Sequence, residues 1–480
     1  MANETITQPL NLNSDLARRI QDELGQNVYL CYQCVKCTSG CPMVDFFDWQ
    51  PNQIMRALQL GQEDLCLHAQ TPWLCASCQT CATRCPQDLN ITAIMELITR
   101  VALERGVPPA IPEVKVFNEA FMREVGLWRR SYELGLMAEI KLRTKNLFGD
   151  MDLAVQMVRR NKIPFLPTPT RRRRHVKPDP QAATALAYYP GCSLDSTSAE
   201  FNISSQAVCE ALDIKLVEPD GWVCCGSSAA HRADPAAALR LPMENLALFE
   251  QSGFHEVIMP CAACFNRHKA AQYEIRHDER HLASVNQFLD YEYQDQVQVR
   301  TLISAILEHA GVDKIAARTQ KSLKGLRLVT YYGCLLTRPP QVTEALHPEN
   351  PTDMDEVLRA AGAEVLDWSY KTSCCGAAHS LTRPDIVLEL SSKLIEHARE
   401  AGAEAIAVAC PLCHTNLDAR QIQMHLAEPM PVLFFTQLLA LAFGLPPKSA
   451  ALHKNLIDPR PLLQKKHILS SALKAASQTV

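Results

Sequence analysis

The sequence lacks any strong imbalance of charge. Its formal net charge is −4 over 480 residues, so we expect no overall attraction to nucleic acid or to an anionic membrane. It also lacks a long hydrophobic run: the most apolar window, 431–447, is interrupted by Thr436 and Gln437 and is shorter than the roughly 20 residues of a spanning helix. The start of the chain is polar, without the apolar core of a signal peptide. These absences predict a soluble, cytoplasmic protein that does not bind nucleic acid.

Cysteine, in contrast, is abundant, with 20 residues in the chain. A reducing cytoplasm keeps such cysteines as thiols rather than disulfides. Free thiols at regular spacings indicate metal centres. At roughly 150 residues per domain, the length predicts about three domains.

Two runs within the first ninety residues share the pattern C-x2-C-x2-C-x3-C-P. The first contains Cys31, Cys34, Cys37 and Cys41, and the second contains Cys75, Cys78, Cys81 and Cys85. This spacing is typical of bacterial ferredoxins with two [4Fe–4S] clusters, in which the fourth cysteine of each run ligates the other cluster. Zinc sites usually take two separated pairs of ligands instead. We predict one cluster on Cys31, Cys34, Cys37 and Cys85, another on Cys75, Cys78, Cys81 and Cys41, and an electron-relay role for both.

The segments around these runs carry helix signals. Ser14 and Gly25 are suited to begin and end one helix, and Asn90 and Gly106 another. The pattern from 113 to about 160 is also helical, which predicts a mainly helical ferredoxin-type domain over 1–163. Cys66 and Cys209 belong to no cysteine pattern, so we interpret them as small buried apolar residues.

A proline- and arginine-rich linker is predicted over 164–180. Beyond it the sequence repeats after roughly 145 residues, with Cys192, Cys224, Cys225, Cys261 and Cys264 in the first half and Cys334, Cys374, Cys375, Cys410 and Cys413 in the second. Each half alternates predicted strands and helices, which indicates a mainly parallel sheet. We therefore predict two homologous α/β domains, 181–320 and 321–480, with the cysteines in loops past the strand ends, where open α/β sheets commonly bind ligands.

Each half places two cysteines side by side. A cubane cluster takes four thiolates and tetrahedral zinc takes four ligands, so a fifth cysteine in each half is surplus to either. Neighbouring side chains reach different irons only around a tight bend, which Gly226 and Gly376 allow because glycine tolerates unusual backbone angles. Gly191 and Gly333 precede the first cysteine of each set and are suited to the same role. The residues predict a cluster that is opened from the cubane.

These double sets resemble the B subunit of heterodisulfide reductases, the CCG family, and the ferredoxin region is similar to the C subunit of the same enzymes. The resemblance covers nearly the whole chain, as a C–B fusion. It implies that each five-cysteine set holds a non-cubane [4Fe–4S] cluster and that the two clusters face one cavity. The ten cysteines of the sets are then the expected catalytic residues, since two one-electron clusters suit the homolytic splitting of a disulfide.

The resemblance also implies partners. These are a flavin and iron–sulfur protein similar to the A subunit of those enzymes, a hydrogenase or formate dehydrogenase module, and a small-molecule or protein-bound disulfide, within a larger hetero-oligomer. Two other functions stay open: a non-catalytic iron–sulfur protein that links a flavoprotein dehydrogenase to membrane quinone, and thiol oxidation in sulfur metabolism. Candidate proton donors are His231, His379 and His414, although each is also suited to a structural role.

Overall fold

The computed structural model describes residues 14–167, 170, 185–424, 426 and 428–470. Most of the predicted linker therefore lies outside the described residues. The N-terminal region is helical, as predicted. Its helices are α1 (Asp15–Leu24), α2 (Lys36–Ser39), α3 (Pro51–Gln59), α4 (Glu63–His68), α5 (Thr71–Leu74), α6 (Thr80–Arg84), α7 (Ile91–Glu104), α8 (Pro112–Trp128), α9 (Glu133–Thr144) and α10 (Met151–Arg159).

The predicted helix ends are confirmed in this region. The Ser14 side chain accepts a hydrogen bond from Ala17 N, and Gly25 ends α1 with a φ of 65°. The Asn90 side chain caps α7 by accepting from Ala93 N. The predicted helical stretch after 113 is divided into α8, α9 and α10 because Arg129 and Lys145 adopt the left-handed conformation that ends a helix.

The first cysteine-rich region is a parallel sheet covered by helices. Its strands are β1 (Leu186–Tyr188), β2 (Leu216–Val217), β3 (Glu256–Met259) and β4 (Gln298–Thr301), in the order β2-β1-β3-β4. All neighbouring pairs are parallel. Its helices are α11 (Ala199–Ala211), α12 (Ser227–Ala233), α13 (Pro235–Gln251), α14 (Ala262–His277), α15 (Glu279–Leu289), α16 (Leu302–His309) and α17 (Gly311–Arg318).

The second region repeats this sheet. Its strands are β5 (Arg327–Tyr331), β6 (Glu364–Val365), β7 (Ala405–Val408) and β8 (Val432–Phe434), in the order β6-β5-β7-β8, again all parallel. Its helices are α18 (Pro340–Thr343), α19 (Asp353–Ala360), α20 (Pro384–Glu400), α21 (Pro411–His414), α22 (Phe435–Ala442), α23 (Pro447–Ala450) and α24 (Arg460–Lys465). The predicted pair of parallel α/β domains is confirmed, while the limits at 163, 180 and 320 stay predictions.

One predicted helix differs from the structure. The sequence pattern predicts a helix over 415–426, but the chain forms a π-helical turn at Thr415–Ala419 and a 3-10 turn at Arg420–Gln423. The buried Asn416 side chain of this turn donates to Cys375 O. Such π turns occur often at functional sites because they displace side chains from the regular helical positions.

The two sheet regions share one hydrophobic core. Phe201 of α11 stacks on Phe434 of β8 with ring centroids 4.2 Å apart, and Ser204 and Thr436 share a hydrogen bond of 2.7 Å. Cys66 and Cys209 are buried among apolar residues, as predicted. No helix in the described ranges is both long and apolar enough to cross a membrane.

Candidate iron–sulfur site

The first five-cysteine set gathers past the carboxyl ends of β1 and β3. Cys192 lies beyond β1, Cys261 directly follows β3, and Cys264 begins the first turn of α14. The Sγ atoms of Cys225 and Cys264 are 3.4 Å apart, and Cys224 interacts with both Cys192 and Cys225. The fold therefore brings together all five cysteines that the sequence pattern singled out.

The second set has the same arrangement. Cys334 lies beyond β5, and Cys410 and Cys413 flank the start of α21 beyond β7. Cys375 Sγ and Cys413 Sγ are 3.6 Å apart, and Cys374 interacts with Cys334. The repeat in sequence is thus a repeat of the site itself.

Four glycines permit this crowding, as the sequence predicted. Gly226 and Gly376, next to the cysteine pairs, have φ angles of 82° and 78°, in the region that side chains other than glycine rarely adopt. A Cβ on Gly191 would lie 2.8 Å from Cys264 Sγ, and a Cβ on Gly333 would lie 2.8 Å from Cys413 Sγ. Both glycines therefore leave room for the backbone to approach the ligand sulfurs.

The thiols polarise one another. Hydrogen bonds from Cys224 and Cys264 hold the pKa of Cys225 well below its usual range, while the pKa of Cys224 is raised well above it. A hydrogen bond from Cys413 likewise lowers the pKa of Cys375. The second cysteine of each adjacent pair is therefore the one that the protein favours as a thiolate, the form that binds metal.

Two tyrosines brace the cysteine pairs, and their role could not be read from the cysteine pattern. Tyr189 donates its hydroxyl to Val223 O over 2.8 Å, and Tyr331 donates to Ser373 O over 2.6 Å. Both carbonyls belong to the residue before the adjacent cysteines. The signal was present in the repeated strings AYYPGC and TYYGC, where a tyrosine precedes the first cysteine of each set by three residues.

The two ferredoxin runs cross over in space. Burial raises the pKa of Cys41 well above its usual range, and the charges of Cys78, Cys81 and Cys75 raise it further. The fourth cysteine of the first run therefore lies among the first three of the second. Tyr32, beside the first run, is influenced by Cys34 and also by Cys85. These neighbours agree with crossed ligation, which stays a prediction.

Crossed ligation has a direct test. Cys85→Ser should perturb the cluster whose other ligands are Cys31, Cys34 and Cys37, although Cys85 belongs to the second run. Electron paramagnetic resonance of the reduced protein distinguishes the two ferredoxin clusters. The reciprocal variant Cys41→Ser should perturb the other cluster. If each variant damaged the cluster of its own run instead, the crossed assignment would be wrong.

The second ferredoxin run also touches the second cysteine-rich set. A hydrogen bond between Cys78 and Cys374 lowers the pKa of Cys78 to about 6. Beside this contact, the buried Arg338 donates to Thr80 Oγ1 and to Thr372 O, each over 2.8 Å. Arg338 therefore fastens the ferredoxin loop to the loop that carries the second cysteine pair.

Both sheet regions hold the peptide that leads into Cys75. Arg232 of α12 donates to Trp73 O over 3.0 Å and also to Cys75 O. From the second region, His379 donates Nε2 to Leu74 O over 2.9 Å. The first set has a different neighbour, because Ser131 N of the α8–α9 loop donates to Cys192 Sγ over 3.4 Å. The two sets are alike in themselves but differ in what the helical region places against them.

The three histidines have different surroundings. Burial lowers the pKa of His379 to about 4, and its ring is held by Leu74 and by Thr382 Oγ1, so it has a structural position. His231 Nε2 is buried without a hydrogen-bond partner in the described part of the chain. His414 donates Nε2 to Val432 O over 3.1 Å, and burial lowers the pKa of both His231 and His414 well below the usual range.

Arg267 gives an independent indication that an anionic group belongs between the two sets. This side chain of α14 is 4% exposed, and its Nε has no hydrogen-bond partner among the described residues. Burial lowers its pKa, while the negative charges of Glu96, Cys225 and Cys334 oppose that shift. A buried guanidinium without a partner is costly, and iron–sulfur clusters bound by thiolates would provide the missing negative charge.

The residues present therefore fit iron–sulfur clusters. No three His, Cys, Asp or Glu side chains of the described residues are grouped as ligands of one single metal ion. A [4Fe–4S] cluster takes its thiolates on different irons, so its ligand sulfurs surround the cluster rather than one ion. The thiol-only donor sets, the glycine cradles and the unpaired Arg267 agree with this kind of cofactor.

The comparisons with protein families identify the same parts. Residues 30–90 match the 4Fe-4S dicluster domain, and residues 186–267 and 328–418 match the cysteine-rich domain CCG. These matches define an iron–sulfur protein in which a dicluster ferredoxin domain precedes a pair of cysteine-rich domains. The chain belongs to the heterodisulfide reductase-like family, with a region like the C subunit fused to a region like the B subunit.

Relatives from bacteria and archaea match the two parts separately. The 8-methylmenaquinol:fumarate reductase membrane anchor subunit of Wolinella succinogenes is 31% identical over 284 residues, 58% of this chain and 98% of that protein. The B subunit of the ferredoxin/F420H2-dependent CoB-CoM heterodisulfide reductase of Methanosarcina acetivorans is 27% identical over 60% of this chain and 99% of its own length. The second iron–sulfur C subunit of the Methanocaldococcus jannaschii enzyme is 32% identical over 18% of this chain and 45% of its own.

Proposed function

We propose that this chain is the disulfide-reducing and electron-transfer subunit of a heterodisulfide reductase-like complex. It would hold two cubane clusters through the ferredoxin runs and two non-cubane clusters through the five-cysteine sets. The observation that carries the proposal is the presence of two complete sets, gathered at equivalent sheet edges, with the thiol of Cys78 in contact with that of Cys374. A relay and a pair of acceptor sites are then parts of one chain.

The ligands follow the sequence prediction. The cubane clusters would take Cys31, Cys34, Cys37 and Cys85, and Cys75, Cys78, Cys81 and Cys41. The non-cubane clusters would take Cys192, Cys224, Cys225, Cys261 and Cys264, and Cys334, Cys374, Cys375, Cys410 and Cys413. When bound, the clusters of the two sets would supply one electron each, which suits a disulfide because its reduction takes two.

The protein residues around the sets have distinct roles in this proposal. Tyr189 and Tyr331 fix the peptides that precede the cysteine pairs. Arg267 supplies a buried positive charge that acts on cysteines of both sets, and such a preorganised charge stabilises negative charge that develops nearby. The cysteine pairs are themselves buried, so water is largely excluded from them and the charges act with little screening.

Partners follow from the family. The relatives of both parts are named as subunits of larger enzymes, so we propose a hetero-oligomer in which a flavin and iron–sulfur protein similar to the A subunit delivers electrons. A hydrogenase or formate dehydrogenase module is the expected source of those electrons. The cytoplasmic location stays a prediction.

A quinone-linked function is the second candidate. The relative from Wolinella succinogenes is 31% identical over nearly its whole length and is named for a reductase that uses a methylmenaquinol. The cysteine-rich region alone therefore does not separate an acceptor of electrons from quinol from a reducer of disulfides. The two functions differ in the substrate that the purified protein turns over.

Substrate choice tests the proposal. The cluster-loaded chain, supplied anaerobically with reduced methyl viologen, should oxidise the dye when a small-molecule disulfide such as glutathione disulfide or cystine is added. Two thiols should form per disulfide, measured with a thiol reagent after the protein is removed. A water-soluble menaquinone analogue is the matched alternative. Dye oxidation by the quinone, without thiol formation from any disulfide, would favour the quinone-linked function instead.

A further inference from the structure

A lysine and a glutamate are buried together where the helical region meets both sheets. Lys162, just after α10, is 1% exposed, and Glu200 of α11 is 0% exposed. Lys162 Nζ donates to Glu200 Oε1. Burying an ion pair requires removing two charges from water, and the attraction between them often fails to offset that cost. The position of this pair therefore calls for an explanation beyond stability.

The surroundings of Glu200 contain several polar atoms without hydrogen-bond partners. Among the described residues these include Glu200 Oε2, Glu133 Oε2, Ser198 Oγ and His414 Nδ1. Buried polar groups are nearly always hydrogen bonded, so a group of such atoms is unusual. Their free capacity suits mobile protons and ordered water, which binds buried polar groups of this kind.

The facing atoms of Glu200 and His414 call for a proton between them. His414 donates Nε2 to Val432 O, which leaves Nδ1 of the neutral ring as an acceptor. Nδ1 lies 3.8 Å from Glu200 Oε1, which is an acceptor as well. Two acceptors that face each other are satisfied by a protonated carboxyl group or by a water molecule between them.

This polar cluster reaches towards both cysteine sets. His414 directly follows Cys413 of the second set. On the other side, Thr197 Oγ1 donates to Glu133 Oε1 over 3.1 Å, and the neighbouring Ser196 Oγ donates to Cys192 O over 2.9 Å. One buried cluster thus extends from the loop of the first set to the helix of the second.

The cluster also reaches the surface. Lys454 donates to the carbonyl of Asn161, the residue before Lys162, over 2.9 Å. The exposed His453 and the half-buried Lys454 both interact electrostatically with Glu200. The route from solvent to the cysteine sets is therefore lined by ionisable side chains.

Reduction of a disulfide to two thiols consumes two electrons and two protons. The S–S bond breaks, each sulfur gains one electron and one proton, and a reduced flavin or iron–sulfur partner is oxidised. We propose that Glu200, with Lys162 and Glu133, is the proton-transfer site that supplies these protons from solvent to the space between the two cysteine sets. This inference rests on the proposed disulfide reduction, although a quinone needs protons in the same way.

The electrostatics of the neighbours agree with this role. Burial raises the pKa of Glu133 to about 7 and that of Asp418 to about 7, so both groups exchange protons near neutral pH. Lys162 opposes the shift at each of them. The ionisable groups that act on Glu200 are Lys162, His414, Asp418, His453 and Lys454. Proton exchange at His414, next to a proposed ligand, is not required.

Proton uptake gives a test that does not depend on turnover. The cluster-loaded chain is titrated anaerobically at pH 7 with reduced methyl viologen, whose oxidation releases no proton, in weak buffer with a pH indicator. Wild-type protein should take up protons as it is reduced, and Glu200→Gln should take up at least about twofold fewer. Disulfide turnover should fall about 100-fold, the range of a lost general acid, with a changed pH profile between 6 and 8.

A matched control separates proton transfer from stability. Asp355 and Lys371 form another buried carboxylate–lysine pair, with 2.8 Å between Oδ2 and Nζ, so Asp355→Asn should lower stability but leave proton uptake unchanged. Glu133→Gln, which leaves the Lys162–Glu200 pair intact, provides a second variant should Glu200→Gln not fold, and its uptake should also fall.

The outcomes decide between the two roles. Wild-type uptake and pH profile in either glutamate variant that folds, or an equal loss in Asp355→Asn, would overturn the proton-transfer site. Wild-type protein that takes up protons but reduces no disulfide would contradict the proposed function while leaving this site supported.

Discussion

Cys225→Ala and Cys375→Ala should each abolish disulfide turnover, with a loss of several orders of magnitude. Each substitution removes the cysteine that its set favours as a thiolate, and the two residues occupy equivalent places in the two halves. If one disulfide is reduced by both sets together, neither set completes the two-electron reaction alone. Residues that act as one unit are not additive, so the double variant should be little slower than either single variant. Viologen-dependent disulfide reduction measures all three.

The chain offers controls for this experiment. Cys209 and Cys66 are buried cysteines outside both sets, so Cys209→Ala and Cys66→Ala should keep near wild-type turnover with a modest loss of stability. The ferredoxin clusters should remain reducible in every variant, as judged by their paramagnetic signals. Turnover close to wild type in either Cys225→Ala or Cys375→Ala would contradict the two-set reaction and favour a quinone-linked relay.

Much of the candidate site was predictable because its chemistry depends on residue types that repeat. The five cysteines of each set, the glycine after each pair and the glycine before each first cysteine recur in both halves. Cysteine at fixed spacings has few uses in a reducing environment, so the pattern indicates the cofactor. The caps at Ser14 and Asn90 were predictable for a similar reason, since their effect is local.

The residues that join the parts were not predictable. Lys162 and Glu200 lie 38 positions apart and meet only because α11 packs at the end of the helical region. Arg338 reaches Thr80 across 258 positions. A single charged residue in a helix or loop has no periodic signal, and its usual place is the solvated surface. The burial of these side chains depends on tertiary packing, which the spacing of residues does not encode.

The same packing removes the symmetry that the repeat indicates. The first set receives Ser131 N from the α8–α9 loop at Cys192 and the Arg129 carbonyl at Cys224 N. The second set receives the thiol of Cys78 at Cys374. Two homologous halves therefore have different neighbours, with backbone groups against one and a proposed cluster ligand against the other. This difference predicts a fixed order of reduction.

Electrons from the ferredoxin region should reach the second set before the first. Cys374→Ala removes the thiol that contacts Cys78, so it should slow the reduction of both sets by orders of magnitude once the ferredoxin clusters have been reduced. Cys224→Ala changes the equivalent residue of the first half and should leave reduction of the second set at its wild-type rate. Rapid mixing with reduced viologen, followed by freezing and paramagnetic resonance at successive times, separates the signals of the sets.

The pair of variants makes this comparison sharp because the two substitutions are the same in chemistry and position within the repeat. Each removes one proposed ligand from one set, so damage to the cluster itself is matched between them. Only the contact with the ferredoxin run differs. Equal slowing in both variants, or slower reduction of the second set in Cys224→Ala than in Cys374→Ala, would show that electrons do not pass through the Cys78–Cys374 contact. Selective slowing in Cys374→Ala would instead identify the second set as the first acceptor, with Arg338 holding the two loops in register for the transfer.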